Sequence, residues 1–331
     1  MCVLKYTCLI VGAKYMYAIG IDIGGTSIKG AVVDDTGKVL TRFAMDVSKE
    51  ADGEAEVNRF CDVMIKSLND YDKSIKLEGI GIGMPGILDM DKGIVVTSPN
   101  LPKWNGLPIS KLISKRMNLP VYINNDANVA TLGEARFGSG KEYSNLIMLT
   151  LGTGVGGGIV INNHLYDGHL HMGAELGHMV IRVNGEPCGC GRRGCFEAYA
   201  SATGLIRMTK KEMDKCPDSL MHEVVKENGK VNAKVVFEAS RRGDKAAIRV
   251  MKRYVRYLGE GILNYCNIFR PEVVVLSGGV ANEGDYLLDQ VRRFMKYHNY
   301  GMKGSPRVEL KVAMLGYDSG KIGAACLVFD K

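Results

Sequence analysis

The sequence lacks the features that mark a membrane protein or an exported one. No apolar run in its 331 residues is long enough to cross a membrane. The first fifteen residues are apolar, but Lys5 interrupts them, and they fit poorly to the basic start, unbroken apolar run and cleavage site of a secretory signal. We therefore expect residues 1–15 to be an extended start or a tail ahead of Met16, and we expect a cytoplasmic protein.

Other absences exclude further classes. The net charge of +7 is small and the Lys and Arg residues are spread over many segments, so we expect no nucleic-acid partner. The nine cysteines are an odd number and are scattered apart from one cluster, which favours reduced thiols over a disulfide framework. The phosphate-binding pattern GxxxxGK[ST] is also absent.

Two glycine-rich segments are the most informative feature that is present. Each of them, Ile19–Val33 and Leu146–Ile161, has an apolar run, a Gly/Thr turn and a second apolar run. This pattern predicts a hairpin whose tip offers backbone N–H groups and a threonine hydroxyl to an anion. One such tip could be only a tight turn, but two of them predict a pair of sites that bind one polyphosphate. A dinucleotide-binding turn is disfavoured, because a helix would have to follow it directly.

The candidate phosphate-binding residues follow from these two turns. Glycine lets the backbone approach phosphate oxygens with no Cβ in the way. The candidates are Asp22, Gly24, Gly25, Thr26 and Lys29 in the first segment, and Gly152, Thr153, Gly154, Gly156 and Gly157 in the second.

Two aspartates lie where phosphoryl transfer would need them. Asp22 opens the first turn, and a carboxylate beside bound phosphate is repulsive unless a divalent cation lies between them. Asp22 therefore predicts Mg²⁺, unless it only stabilises its own turn. Asp126, in the sequence Asn125-Asp126-Ala127-Asn128, lies between a predicted strand and a predicted helix. It fits a helix cap and a general base equally well.

The order of predicted elements indicates a duplicated α/β architecture. An antiparallel meander, a helix and a buried strand are predicted in the first third of the chain, and the same pattern restarts near residue 146. Residues 87–104 are interpreted as loop-rich. We expect two domains with a cleft between them. The small one spans 16–124 and includes the C-terminal helix of about 317–331, and the large one spans 125–316.

One cluster has the residue types of a metal site. His178 is followed by Cys188, Cys190 and Cys195, with glycines among the cysteines. One imidazole and three thiolates suit a closed tetrahedral Zn²⁺ site. Because protein would fill all four positions, the zinc would be structural rather than hydrolytic. The alternative is a redox-active or incidental cluster.

Two glutamates flank the cysteine cluster, Glu175 in ELGH and Glu197 in CFEAYAS. They could be plain surface residues. If zinc folds this loop over the cleft, they become acceptors for the hydroxyl groups of a polyol.

Together, these motifs resemble the ROK family of bacterial sugar kinases and repressors. The matching segments run in order from about Tyr17 to the C-terminus: DIGGTSIKG, GMPG, SPNLPKWNG, NNDAN, LGTGVGGG, ELGH, CGCGRRGCFEAYAS and VVLSGGVAN. The resemblance implies an α/β fold of the actin/hexokinase type (ribonuclease H-like), the use of ATP and Mg²⁺, and phosphorylation of a hexose, usually on its 6-hydroxyl. It also implies a homodimer.

The resemblance implies roles for individual residues. Asp126 matches the catalytic base, and His178 would place one ring nitrogen on zinc and the other towards a sugar hydroxyl. Gly278 and Gly279 match the adenosine-side motif, although Ser277 stands where a third glycine is frequent. The positions that match the sugar-binding residues are Asn100, Asn125, Asp126, Glu175, His178 and Glu197.

The predicted function is ATP-dependent phosphorylation of a hexose, with glucose as the expected substrate. N-acetylmannosamine, N-acetylglucosamine, fructose and allose stay open, as does polyphosphate in place of ATP. The alternative from another class is a sugar-sensing repressor, which would need a DNA-binding segment ahead of the first turn. Only about twenty residues precede Asp22, so we expect a kinase.

Overall fold

A computed structural model describes residues 15–48, 51–71, 75–300 and 307–331. The predicted N-terminal tail, residues 1–15, lies outside the described residues apart from Tyr15. The strands are β1 (Tyr17–Ile23), β2 (Ser27–Asp34), β3 (Val39–Asp46), β4 (Leu77–Met84), β5 (Ile87–Asp89), β6 (Ile94–Thr97), β7 (Val121–Asn125), β8 (Leu146–Leu151), β9 (Val155–Ile161), β10 (His164–Tyr166), β11 (Val273–Ser277) and β12 (Glu309–Val312). The α-helices are α1 (Gly53–Tyr71), α2 (Ile109–Met117), α3 (Asp126–Phe137), α4 (Glu197–Ala200), α5 (Ala202–Met213), α6 (Met221–Asn228), α7 (Ala233–Arg241), α8 (Lys245–Phe269), α9 (Asp285–His298) and α10 (Ser319–Phe329).

Two five-stranded sheets repeat one topology. The first has the order β3-β2-β1-β4-β7, and the second has the order β10-β9-β8-β11-β12. In each sheet the first three strands along the chain form an antiparallel meander. The other two strands run parallel to the first. The predicted duplication is therefore visible in the strand order itself.

The two glycine-rich segments form the β1–β2 and β8–β9 hairpins, as predicted. Ile23 pairs with Ile28 at the first tip, and Asp22 stands opposite Lys29. At the second tip the closing pair is Leu151 with Val155. Because apolar pairs close both hairpins, the glycines and threonines stay at the tips.

The segment interpreted as loop-rich, residues 87–104, contains a short hairpin. Strands β5 and β6 pair antiparallel and bury Leu88 and Val95 in the core beneath the first sheet. Gly93 in the connection has a φ of 67°, which glycine adopts without steric penalty. Strands of three and four residues are too short for an alternating pattern to reveal them.

Each sheet has its own hydrophobic core. The first sheet packs against α1 and α2, and the buried side chains there include Phe60 and Trp104. The second sheet packs against α5 to α9, and the longest helix, α8, buries Tyr254 and Leu258. Among the described residues, no helix combines the length and the apolar character needed to cross a membrane. The helices cover the sheets and leave the carboxyl ends of the strands open.

The C-terminal helix α10 packs against the first sheet, although the chain completes the second sheet before reaching it. A Cβ added at Gly20 in β1 would lie 1.8 Å from the carbonyl oxygen of Lys321, and one added at Gly323 would lie 1.6 Å from that of Val129. Only glycine permits such an approach of two backbones. The packing brings the start of α10 beside Asp22. The predicted domain boundaries stay a prediction.

Candidate active site

A cavity of about 1180 Å³ is lined by residues from the carboxyl ends of strands in both sheets. This is the edge at which open α/β sheets bind their ligands. The structure brings together at this cavity most of the residues that the sequence indicated: Asp22, Lys29, Asn100, Asn125, Asp126, Gly152, Gly154, Gly156, Gly157, Glu175, His178, Cys190, Glu197 and Gly278.

The other predicted residues lie next to the cavity lining or behind it. In the first turn, a Cβ added at Gly25 would lie 3.0 Å from the Cβ of Asn100, so this turn packs directly against a lining residue. Two of the cysteines belong to the same cluster as the lining residue Cys190. Within the described ranges, the predicted residues outside the lining are Gly24, Gly25, Thr26, Thr153, Cys188, Cys195 and Gly279.

The structure separates the cap of α3 from the candidate base. Asn125 is the N-cap, and its Oδ1 accepts the N–H groups of Ala127 at 2.9 Å and Asn128 at 3.4 Å. Asp126 is the first helical residue, and one of its carboxylate oxygens accepts the Ala127 N–H at 2.9 Å. Asn125 therefore caps the helix, and Asp126 lines the cavity.

The electrostatic surroundings of Asp126 suit a proton acceptor. Burial raises the pKa of its carboxyl group, and the negative charges of Asp22 and Glu175 raise it further. The hydrogen bond from Ala127 acts in the opposite direction. A raised pKa makes the ionised carboxylate a better general base.

Asp22 lies between positive charges. Burial raises the pKa of its carboxyl group, while Lys321 and Lys29 lower it. The buried Lys321 Nζ is held by the carbonyl oxygen of Tyr317 at 2.8 Å and by Asp318 Oδ1 at 2.9 Å. Lys29 thus lines the cavity beside Asp22, whereas the charge of Lys321 is paired with Asp318 behind the lining.

The cysteine cluster has the dimensions of a tetrahedral zinc site. Zn–S bonds of about 2.3 Å and a Zn–N bond of about 2.1 Å imply S–S edges of about 3.8 Å and an N–S edge of about 3.6 Å. The Sγ atoms of Cys190 and Cys195 are 3.7 Å apart, and Cys188 Sγ lies 3.6 Å from His178 Nδ1. All four ligand atoms lie within 4.8 Å of one another. Donor set and spacing both fit zinc.

The second glycine turn is held by residues that follow the cysteine cluster in the chain. Glu197 accepts the Val155 N–H through Oε2 at 3.0 Å, and its Oε1 lies 3.5 Å from the Sγ atom of Cys188. Further bonds run from the Ala202 N–H to the Gly152 carbonyl oxygen at 2.8 Å and from Thr203 Oγ1 to the Thr153 carbonyl oxygen at 2.8 Å. Cluster and turn are thus physically joined.

A family model, that of the ROK family, matches residues 18–331. The chain belongs to the ROK family. A glucokinase from Thermotoga maritima is 36% identical over 314 residues, which cover 95% of this chain and 97% of the relative. A xylose repressor from Bacillus subtilis is 30% identical and is matched over 97% of this chain and 79% of its own length.

Solved ROK structures have the same fold. A ROK family glucokinase from Streptomyces griseus in complex with glucose and AMPPNP has a TM-score of 0.79 and 34% identity to this chain. The similarity covers 95% of this chain and 100% of that one. The predicted actin/hexokinase-like fold is therefore confirmed.

Several cavity residues were not predicted from the ROK motifs. Ser319 and Gly320 line the cavity because α10 packs on the first sheet, and Tyr317 precedes that helix. Thr150 lines it from β8. The run of small residues in α10 was an available signal, because small side chains mark close backbone contact.

Proposed function

We propose that this protein is an ATP-dependent hexose kinase that transfers the γ-phosphoryl group of ATP to the 6-hydroxyl of glucose. The observation that carries the proposal is Asp126, which lines one cavity together with residues of both glycine-rich hairpins. Phosphoryl transfer needs little beyond a positioned proton acceptor and stabilised phosphates, and this cavity offers both. The glucokinase relatives, matched over nearly their whole length, support the same activity.

In the proposed mechanism, Asp126 accepts the proton of the sugar hydroxyl as that oxygen attacks the γ-phosphorus. The bond from the γ-phosphorus to the β–γ bridging oxygen breaks, and ADP leaves with that oxygen. The backbone N–H groups of the two glycine turns and the ammonium group of Lys29, which lines the cavity, would hold the phosphates. Gly278 and Gly279 would lie beside the adenosine part of ATP. Asp22 presents the carboxylate oxygens that Mg²⁺ prefers, and Mg²⁺ would neutralise charge on the transferred phosphate.

The sugar would be recognised by directional hydrogen bonds. Glu175 and Glu197 provide acceptors, and His178 has Nε2 left for a hydroxyl when Nδ1 binds zinc. Asn100 and Asn125 add amide groups at the reacting end. Zinc would have a structural role, because His178 and the three cysteines fill all four positions.

The sugar-sensing regulator is the second candidate, because repressors belong to the same family. Asp126 and the residues of both glycine-rich hairpins, which line one cavity, favour the kinase, because a regulator needs no proton acceptor beside a phosphate site. A cytoplasmic location, a homodimer and the absence of a nucleic-acid partner are proposals that accompany the kinase function.

A kinetic panel tests the proposal. The purified protein is assayed for ADP release with glucose, galactose, fructose, allose, N-acetylglucosamine and N-acetylmannosamine, with ATP and then polyphosphate as donor. We expect glucose and ATP to give the highest kcat/KM. If N-acetylmannosamine is best, the kinase stands and the glucose assignment is overturned. If no sugar supports turnover but sugars still bind, the regulator is favoured.

A further inference from the structure

The segment Glu197–Thr203, here called the clamp segment, joins the metal cluster to the second glycine turn. It begins two residues after the metal ligand Cys195. Its hydrogen bonds reach three residues of the turn, Gly152, Thr153 and Val155. The sequence interpretation gave this segment only a sugar contact, at Glu197.

The clamp segment is itself firmly anchored. The Cys195 side of it is fixed by an antiparallel bridge between Val180 and Cys195 and by the Phe196 N–H, which donates to the Met179 carbonyl oxygen at 2.8 Å. At its other end, the buried Tyr254 hydroxyl of α8 donates to the Ala200 carbonyl oxygen at 2.7 Å. Its shape therefore depends on the core on one side and on the metal loop on the other.

The bond from Val155 to Glu197 matters because Val155 is buried, with 5% of its surface exposed. Its N–H at the start of β9 donates to a side chain. Without Glu197 this donor would lie in a buried place without a partner, which is strongly unfavourable. The turn would then have to change its conformation, and with it the N–H groups that it presents.

We propose that the clamp segment positions the second glycine turn for the phosphates of the nucleotide, so that metal binding at the cysteine cluster strengthens nucleotide binding even when no sugar is present. The inference rests on the proposed function, in which this turn holds ATP. Glu197 would be a positioning residue for the turn as well as a sugar contact. Linkage requires the converse as well, so bound nucleotide should retain the metal.

The experiment measures the binding of AMPPNP with Mg²⁺ by calorimetry in the absence of sugar. Thr203→Val removes one clamp bond without touching the cavity lining, and Glu197→Ala removes another. The matched control is Thr209→Val, which removes a threonine bond to the Leu205 carbonyl oxygen within the same helix. We expect about tenfold weaker nucleotide binding for the two clamp variants and no change for the control.

The conservative variant separates positioning from sugar contact. In Glu197→Gln the amide oxygen can still accept the Val155 N–H, so nucleotide binding should recover most of the loss seen in Glu197→Ala. Sugar affinity should stay weakened, because the charge is gone. If Glu197 served only the sugar, all Glu197 variants would bind nucleotide like the unchanged protein.

Metal removal completes the test. A chelator should weaken nucleotide binding about as much as Glu197→Ala does, under conditions in which circular dichroism shows the protein still folded. Saturating AMPPNP should slow metal release in the unchanged protein but not in Glu197→Ala. Unaltered nucleotide affinity in both clamp variants, or after metal loss, would overturn the clamp. If the unchanged protein binds no nucleotide at all, the proposed function fails and this inference with it.

Discussion

The two glycine turns have similar sequences but obtain their shape from different sources. The first turn is closed by the Gly24 N–H, which donates to the Ser27 carbonyl oxygen at 2.9 Å, and the Val47 N–H after β3 donates to the Thr26 carbonyl oxygen at 3.0 Å. In the second turn the Gly152 N–H donates to the Gly154 carbonyl oxygen at 3.0 Å, and the turn also makes hydrogen bonds with Glu197 and the residues after it. The bonds of the first turn thus come from its own sheet, whereas the second turn is also held by a segment outside its sheet.

The charges around the two turns differ as well. Lys29 and Lys321 act on Asp22 beside the first turn, whereas the carboxylate of Glu197 faces the second. Each turn also touches a predicted sugar residue, Asn100 at the first and Glu197 at the second. The proposed phosphate and sugar sites are therefore in direct contact. A substitution in either turn can change sugar binding as well as nucleotide binding.

The largest expected effect belongs to Asp126, which interacts with charges from both halves of the site. Asp126→Asn should lower kcat by about 10² to 10⁴ while leaving the melting temperature nearly unchanged, because Asn125 provides the helix cap. The measurement is ADP release by the purified variant. As a control, Asn125→Ala should destabilise the fold by about 1 kcal/mol. Near-normal turnover of Asp126→Asn would refute the assignment of the base.

Sugar discrimination should come next in size. We expect glucose to be preferred over galactose by at least ~10² in kcat/KM, because a misplaced hydroxyl leaves buried polar groups unpaired. Glu175→Gln should narrow that gap and leave AMPPNP affinity unchanged, because Glu175 has no bond to either turn in the described structure. If the ratio of kcat/KM for glucose to that for galactose is unchanged in Glu175→Gln, Glu175 does not belong to the sugar site.

Loss of the metal should affect the part of the site that contains the second glycine turn and Glu197. Cys190→Ser should abolish stoichiometric zinc, lower the melting temperature and raise the KM for sugar about tenfold, because the loop that carries Glu197 loses its order. Metal analysis and thermal unfolding test this directly. A purified protein without zinc, whose three cluster thiols are all readily alkylated, would contradict the zinc assignment.

A pair of glycine substitutions sharpens the comparison. A Cβ added at Gly154 would lie 2.3 Å from Glu197 Oε2, whereas nothing lies within 4 Å of one added at Gly152. Gly154→Ala should therefore weaken both nucleotide and sugar binding, each about tenfold. Gly152→Ala should weaken only the nucleotide, measured by separate titrations of AMPPNP and glucose. Equal losses in the two variants would show that Glu197 does not link the sites.

The smallest expected effect is a shift in pH dependence. Asp126 must be ionised to accept a proton, and its pKa is raised, so kcat/KM should fall on the acid side at a pH above the ordinary aspartate value of about 3.9. The Glu175 charge contributes to that rise. Glu175→Gln should thus move the acid limb to lower pH, by less than about one unit. If the acid side of the pH profile moves to higher pH in Glu175→Gln, the Glu175 charge does not raise the pKa of Asp126.

The sequence predicted the regular elements well because their patterns are local. Both hairpins follow from apolar runs on either side of glycine, and the C-terminal helix predicted at about 317–331 is α10. Within the site, the metal cluster was readable because its four residues lie close together in the chain.

What the sequence did not reveal depends on contacts between distant segments. Thr203 belongs to none of the motifs found in the sequence. It bonds to the second turn only because α5 begins beside that turn. Lys321 reaches Asp22 because glycines let α10 approach the first sheet. Whether Asp126 or Asn125 capped α3 could not be decided by pattern, since both residue types serve as caps.

The close packing of α10 also has a consequence for how the chain matures. Gly20 and Lys321 are about three hundred residues apart, so the first sheet cannot complete its packing until the last residues have been synthesised. The strands and helices of the second sheet lie between Gly20 and Lys321 in the chain, so all of them are synthesised before α10 is complete. During synthesis the half of the protein that starts the chain is therefore finished last, with Asp22 left uncovered until then.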